Sequence, residues 1–130
     1  MSRGALAAAL MLAGCSGAAG QGNGPRTGEQ RLYARATSFA TERRMLRIVK
    51  RPPEPLARCL ASNPSGRMRL ILLSRPVRDA GGRYDRVLLH PVTHLLVRIQ
   101  AARGGSRVAV FTRPGRTLQS RERATLAACL

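Results

Sequence analysis

Two apolar runs hinged on a glycine-rich turn constrain this chain more than any other feature. Leu95, Val97 and Ile99 alternate with His94, Leu96, Arg98 and Gln100; after Arg103-Gly104-Gly105-Ser106, Val108 and Val110 alternate with Ala109 and Phe111. A period of two sends successive side chains to opposite faces of a strand, and the β-branched content suits a pleated surface. The stretch therefore predicts a β-hairpin. The rival is an amphipathic helix from Pro91, since Val92, Leu95, Leu96 and Ile99 also have helical spacing and Gly104 suits a helix C-terminus.

The remaining elements follow from period and punctuation. Residues 84–89 read as a strand, and the continuous aliphatic run at 68–74 reads as the best strand of the chain. The loop between them holds Asp79, Gly81 and Gly82, so antiparallel pairing is expected. Residues 54–62 read as a short helix with Pro55 in its first turn and Leu56, Cys59 and Leu60 as its apolar stripe. Asn63-Pro64-Ser65-Gly66 is a turn, and 117–130 a last helix with Leu118, Thr125, Leu126, Cys129 and Leu130 near one face. Between 32 and 49, Leu32, Ala36, Phe39 and Ala40 have helical spacing while Met45, Leu46, Ile48 and Val49 suit a strand, and the period does not settle the matter. The sum is an α+β domain: a small antiparallel sheet of three or four strands with two or three helices on one face.

A chain of 130 residues with 44% apolar residues can bury one core, and with no Trp, two Phe and two Tyr that core is built from Leu, Val, Ile and Ala. No run reaches the ~18 apolar residues of a spanning helix. The balance of 23 Lys+Arg against 6 Asp+Glu gives a net charge of +17 and a pI near 11.9. Lys50 is the only lysine, and Ala, Gly and Pro are abundant, a pattern of GC-rich coding that explains part of the arginine excess without any binding role.

The N-terminus reads Met1-Ser2-Arg3, then an apolar stretch through Leu12, then Ala13-Gly14-Cys15-Ser16. Charge, short apolar run and small-residue cleavage site in that order describe an export signal. Leu12-Ala13-Gly14-Cys15 resembles the lipobox of bacterial lipoproteins at every position. The resemblance implies cleavage before Cys15, a thioether from its sulfur to diacylglycerol, and further acylation, with acyl chains that make anchoring effectively permanent. It also implies a bacterial envelope address, and Ser16, not the aspartate that favours inner-membrane retention, points to the outer membrane facing the periplasm. The expected organisation is signal peptide 1–14, lipidated glycine-rich tether 15–30 with a reach of about 20 Å, and domain 31–130.

With Cys15 committed to lipid, Cys59 and Cys129 remain as an even pair in a compartment that permits oxidation. A disulfide is the simplest expectation, with both cysteines on helices. On the chain-entropy account, closing a loop of about 70 residues stabilises a fold by about 4 kcal/mol.

Nothing in the chain names a catalyst or a cofactor. His90 and His94 are four apart, but Pro91 follows the first and no zinc-peptidase acid is present, so no metal site is expected. Ser74, His90 and Asp79 or Asp85 can be drawn as a triad, yet there is no GxSxG elbow. No glycine-rich phosphate loop opens a helix. The basic residues are the functional signal of size, above all Arg43, Arg44, Arg47, Lys50 and Arg51 before the prolines. Arginine grips phosphate bidentately, and in an envelope the anionic candidates are phospholipid headgroups and lipopolysaccharide. The reading is a non-enzymatic lipoprotein that binds an anionic lipid or an envelope protein complex at the membrane surface. A nucleic-acid-binding protein is the alternative, opposed by export and by the scarcity of stacking aromatics. A small envelope hydrolase or metal enzyme is the third.

Overall fold

The alternating runs around Gly104 form the expected hairpin, Leu96–Ala102 paired antiparallel with Gly105–Thr112. The computed structural model describes residues 28–62, 66 and 68–130. In chain order its elements are α1 (Gly28–Phe39), β1 (Glu42–Val49), α2 (Pro53–Ala61), β2 (Ile71–Leu72), β3 (Val77–Arg78), β4 (Tyr84–Leu89), β5 (Leu96–Ala102), β6 (Gly105–Thr112) and α3 (Ser120–Ala127). The ambiguous segment before the prolines is helix and then strand. Strand pairing wins at 96–112 because Val97, Ile99, Val108 and Val110 bury on one face while Leu96 and Phe111 serve the other. Gly104, at φ 77°, supplies the left-handed residue of the turn.

The α+β expectation holds, with a sheet of six strands in the order β1-β6-β5-β4-β2 and β3 also on β4. All pairs are antiparallel. The count exceeds three or four because two short strands share the outer edge of β4, Ile71 opposite Leu89 and Val77 opposite Asp85. Pro76, which has no N–H to donate, lies in the break between them. The aliphatic run at 68–74, expected to be the best strand, pairs only at Ile71–Leu72. Its residues are spent on burial instead: Met68 and Leu70 enter one core and Leu73 the other.

The sequence reading places the helices on one face; they lie on both, because β4 is apolar on both sides. Leu88 joins Val97, Ile99, Val108 and Val110 beneath Leu56, Ala57 and Leu60 of α2 and Leu126 of α3. Val87 and Leu89 join Leu96 beneath Ala36 of α1, with Ala40 just beyond it. α1 begins at Gly28, three residues inside the stretch read as tether, and the Glu29 carboxylate ties it down by accepting from the Ser74 N–H (2.9 Å) and hydroxyl (2.7 Å). Cys59 of α2 is disulfide-bonded to Cys129, which lies in the turn after α3 and not on the helix itself. No helix among the described residues is long and apolar enough to cross a membrane.

Candidate basic sheet face

α1 packs along the β4 side of its face and leaves the β1 and β6 side open. Register arranges that open half in rows. Ile48 stands opposite Arg107, which stands opposite Gln100, which stands opposite Asp85; Leu46, Ala109 and Arg98 form the next row, and Arg43 and Phe111 the third. All of these residues except Ile48 line a groove of about 170 Å³. A shallower depression of about 480 Å³ shares Leu46, Gln100 and Arg107 with it and extends to Arg47, Arg83 and Arg103. Leu46 is 43% exposed and Ile48 62% exposed, so the rim is apolar as well as basic.

The electrostatics of the groove centre on Asp85, only 2% exposed. Its Oδ2 accepts from Arg98 Nη1 at 3.2 Å, while Arg98 Nη2 donates to the Tyr33 hydroxyl at 2.7 Å. The guanidinium also lies 5.5 Å from the Tyr33 ring centre. Arg98 is thereby held in place from both α1 and β4. The other carboxylate oxygen of Asp85, Oδ1, has no hydrogen-bond partner among the described residues, an arrangement that is costly in a buried site. The side chains of Arg43, Arg47 and Arg107 make no ion pair among the described residues.

The five basic residues expected from the sequence do not form one patch. Arg43 lines the groove and Arg47 the adjoining depression, and Lys50 is exposed at the end of β1. Arg44 is turned to structural use by the β-bulge between Arg43 and Met45: it pairs with Glu42 and its Nε donates to Thr112 Oγ1 at 3.0 Å. Arg51 Nη1 donates to the Cys129 carbonyl at 3.1 Å, and its own carbonyl accepts from the Ser106 hydroxyl at 2.6 Å. Sequence reasoning missed Arg98, Arg107 and Asp85 as a group. Their common phase along the β strands was readable, whereas the burial of Asp85 was not.

The residues weighed for catalysis are engaged apart from one another. Ser74 binds Glu29. Asp79 accepts from the Arg83 N–H at 2.9 Å and from Gln100 at 2.6 Å, and chiefly the Arg83 bond holds its carboxyl below the usual range. His90 and His94 bracket the β4–β5 turn, where the His94 N–H donates to the His90 carbonyl at 2.9 Å. His90 Nδ1 accepts from the Val92 and Thr93 N–H groups at 3.3 and 3.2 Å. His94, at φ 59°, stacks on Phe39 with ring centres 4.7 Å apart. Burial lowers both imidazole pKa values, first by desolvation and then by neighbouring arginines. Among the described residues no three His, Cys, Asp or Glu side chains converge as metal ligands. Cys15, the signal sequence and the tether up to residue 27 lie outside the described residues, as does most of the 63–66 turn. No protein-family model matches the chain, and no curated protein and no solved structure matches it.

Proposed function

We propose that this protein is a non-enzymatic lipoprotein of the bacterial envelope, anchored through lipid on Cys15, whose domain binds an anionic partner at the membrane surface. The address rests on the lipobox resemblance. The binding role is supported by one observation: Arg43 and Arg107 lack carboxylate partners among the described residues and stand beside the exposed Leu46 and Ile48 on the uncovered half of the sheet. Basic residues near a bilayer attract anionic headgroups by about 1 kcal/mol each, less at high salt. The partner is an anionic phospholipid or glycolipid, or a protein of an envelope complex.

Two measurements test this reading. The intact mass of protein extracted from native membranes is expected to show a chain beginning at acylated Cys15; an unprocessed chain overturns the address. Protein lacking residues 1–15 is expected to pellet with anionic vesicles, to release at high salt, and to lose most binding in Arg43→Ala/Arg107→Ala. Equal pelleting with phosphatidylcholine vesicles overturns the anionic preference.

A further inference from the structure

The two edges of the sheet are built differently. At one, β2 and β3 are two residues long each, and Pro76 stands in the break between them, so no continuous row of backbone groups is left. At the other, β1 is eight residues long, and past its bulge the ladder to β6 is regular from Met45 to Val49. Among the described residues no backbone hydrogen bond outside that ladder reaches 42–49, and no element except β6 packs extensively along the strand. A strand paired on one side only turns the N–H and C=O of alternate residues outward. A peptide laid along them gains main-chain hydrogen bonds without rearranging the sheet.

The side chains of this edge select the occupant. Arg43, Arg47 and Lys50 are exposed and make no ion pair among the described residues. Leu46 and Ile48, the exposed apolar pair, stand on the open face opposite Ala109 and Arg107, and Arg47 stands on the other face opposite the core residue Val108. Residues directly opposite one another in an antiparallel pair share a face. An added strand therefore meets apolar side chains at 46 and 48 and cations at 47 and 50. A second copy of β1 brings its own arginines to the same edge, and like charges disfavour that pairing. A bilayer offers no strand to extend the ladder.

We infer that β1 takes up an extended acidic segment of a partner protein as a seventh, antiparallel strand, with apolar side chains against Leu46 and Ile48 and carboxylates against Arg47 and Lys50. The inference deepens the proposed function, since it rests on the same basic surface and names a protein as the anionic partner.

The experiment is an NMR titration of the full chain carrying Cys15→Ala with the capped peptide Glu-Thr-Val-Glu-Val-Thr-Glu. Laid antiparallel, it sets glutamates against Lys50 and Arg47 and valines against Ile48 and Leu46. Two further peptides of the same sequence and charge carry three N-methyl groups each on alternate amides, one peptide in each phase. Only one phase faces β1 and blocks the ladder. The parent peptide is expected to bind and to slow amide exchange along β1, and the two methylated peptides to differ about tenfold or more in affinity, the worth of two or three main-chain hydrogen bonds. Arg47→Glu is expected to weaken the parent peptide about fivefold, as a favourable cross-strand pair becomes a repulsive one. No binding, equal affinity of the two phases, or slowed exchange at β2 and β3 instead overturns the inference. A dimer in sedimentation that protects β1 and excludes the peptide overturns it too, and identifies a second copy as the occupant. Retained binding to anionic vesicles beside any of these failures leaves the basic-face reading standing, so the two are distinguishable.

Discussion

Cys59 and Cys129, 70 residues apart in sequence, are bonded, and the bond joins α2 to the turn that follows α3. Both half-cystines pack at the same core as Leu56, Leu60 and Leu126, so the link secures the chain's last turn over the sheet face that α2 covers.

Reduction, or Cys59→Ala, is expected to lower the melting temperature by about 20 °C, from the ~4 kcal/mol of loop-closure entropy and the usual conversion for a domain of this size. Thermal unfolding with and without reductant checks this. Oxidised protein and Cys59→Ala melting together would show that the bond contributes nothing to stability.

Glu122 is fully buried and has two tasks: Oε1 accepts from the Gln119 N–H at 2.8 Å, completing the capping box of α3, and Oε2 accepts from Arg116 Nη1 at 3.1 Å. Glu122→Ala leaves Arg116 without its partner and is expected to cost about 3–5 kcal/mol. Glu122→Gln retains a capping oxygen and is expected to cost less. Urea unfolding of both variants decides; equal losses would remove the capping oxygen from the account.

Stability is expected to fall as the pH drops below about 6.5, the ordinary histidine value, because His90 and His94 titrate lower in the folded protein. The sign follows from proton counting: below that pH the unfolded chain binds more protons than the native one, so protonation favours unfolding. Desolvation is the first cause at His90, with Arg121 and Arg116 adding to it and Glu122 opposing. At His94 desolvation is joined by Arg113, Arg35 and His90. His90→Asn keeps a side-chain acceptor for the turn N–H groups but does not titrate. It is expected to flatten the fall of melting temperature between pH 6.5 and 5. An unchanged slope would acquit His90.

A methyl group is expected to be worse tolerated at Gly105 than at Gly104. A Cβ on Gly105 would stand 2.8 Å from the Lys50 Cα and closer still to the Val49 carbonyl, so β1 itself has to move, at a cost of about 1–3 kcal/mol. Gly104→Ala meets open space and pays only for its φ of 77°, about 1–2 kcal/mol. Denaturation midpoints of the two variants compare them directly, and the reverse order would contradict this close approach of β1 to the hairpin.

Much of the fold was legible because it depends on near neighbours. The alternation of Leu95 to Phe111 around Gly104, the strand at Tyr84–Leu89 and the stripe of Leu56, Cys59 and Leu60 all read correctly from spacing alone. The run at 68–74 misled because an aliphatic sequence reports burial, not pairing; only contact with β4 decides how many of its N–H groups enter a ladder. The five clustered basic residues of β1 and its exit misled in a similar way. Arg44 and Arg51 are adjacent in sequence to residues with entirely different surroundings, since a bulge turns one towards Thr112 and the α3 turn captures the other.

By itself the sequence determined the α+β class, the hairpin, the helix that carries Cys59 and the pairing of that cysteine with Cys129. Period, turn chemistry and cysteine parity are properties of short windows and simple counts. The tertiary structure alone decided that helices cover both faces of the sheet, that half of one face stays bare, and that Asp85 is buried there with one oxygen unpartnered. The reason is physical: Arg98 reaches Asp85 across 13 residues of chain and Tyr33 across 65, and the burial of a charge depends on which distant segments close over it, a relation that no local pattern encodes.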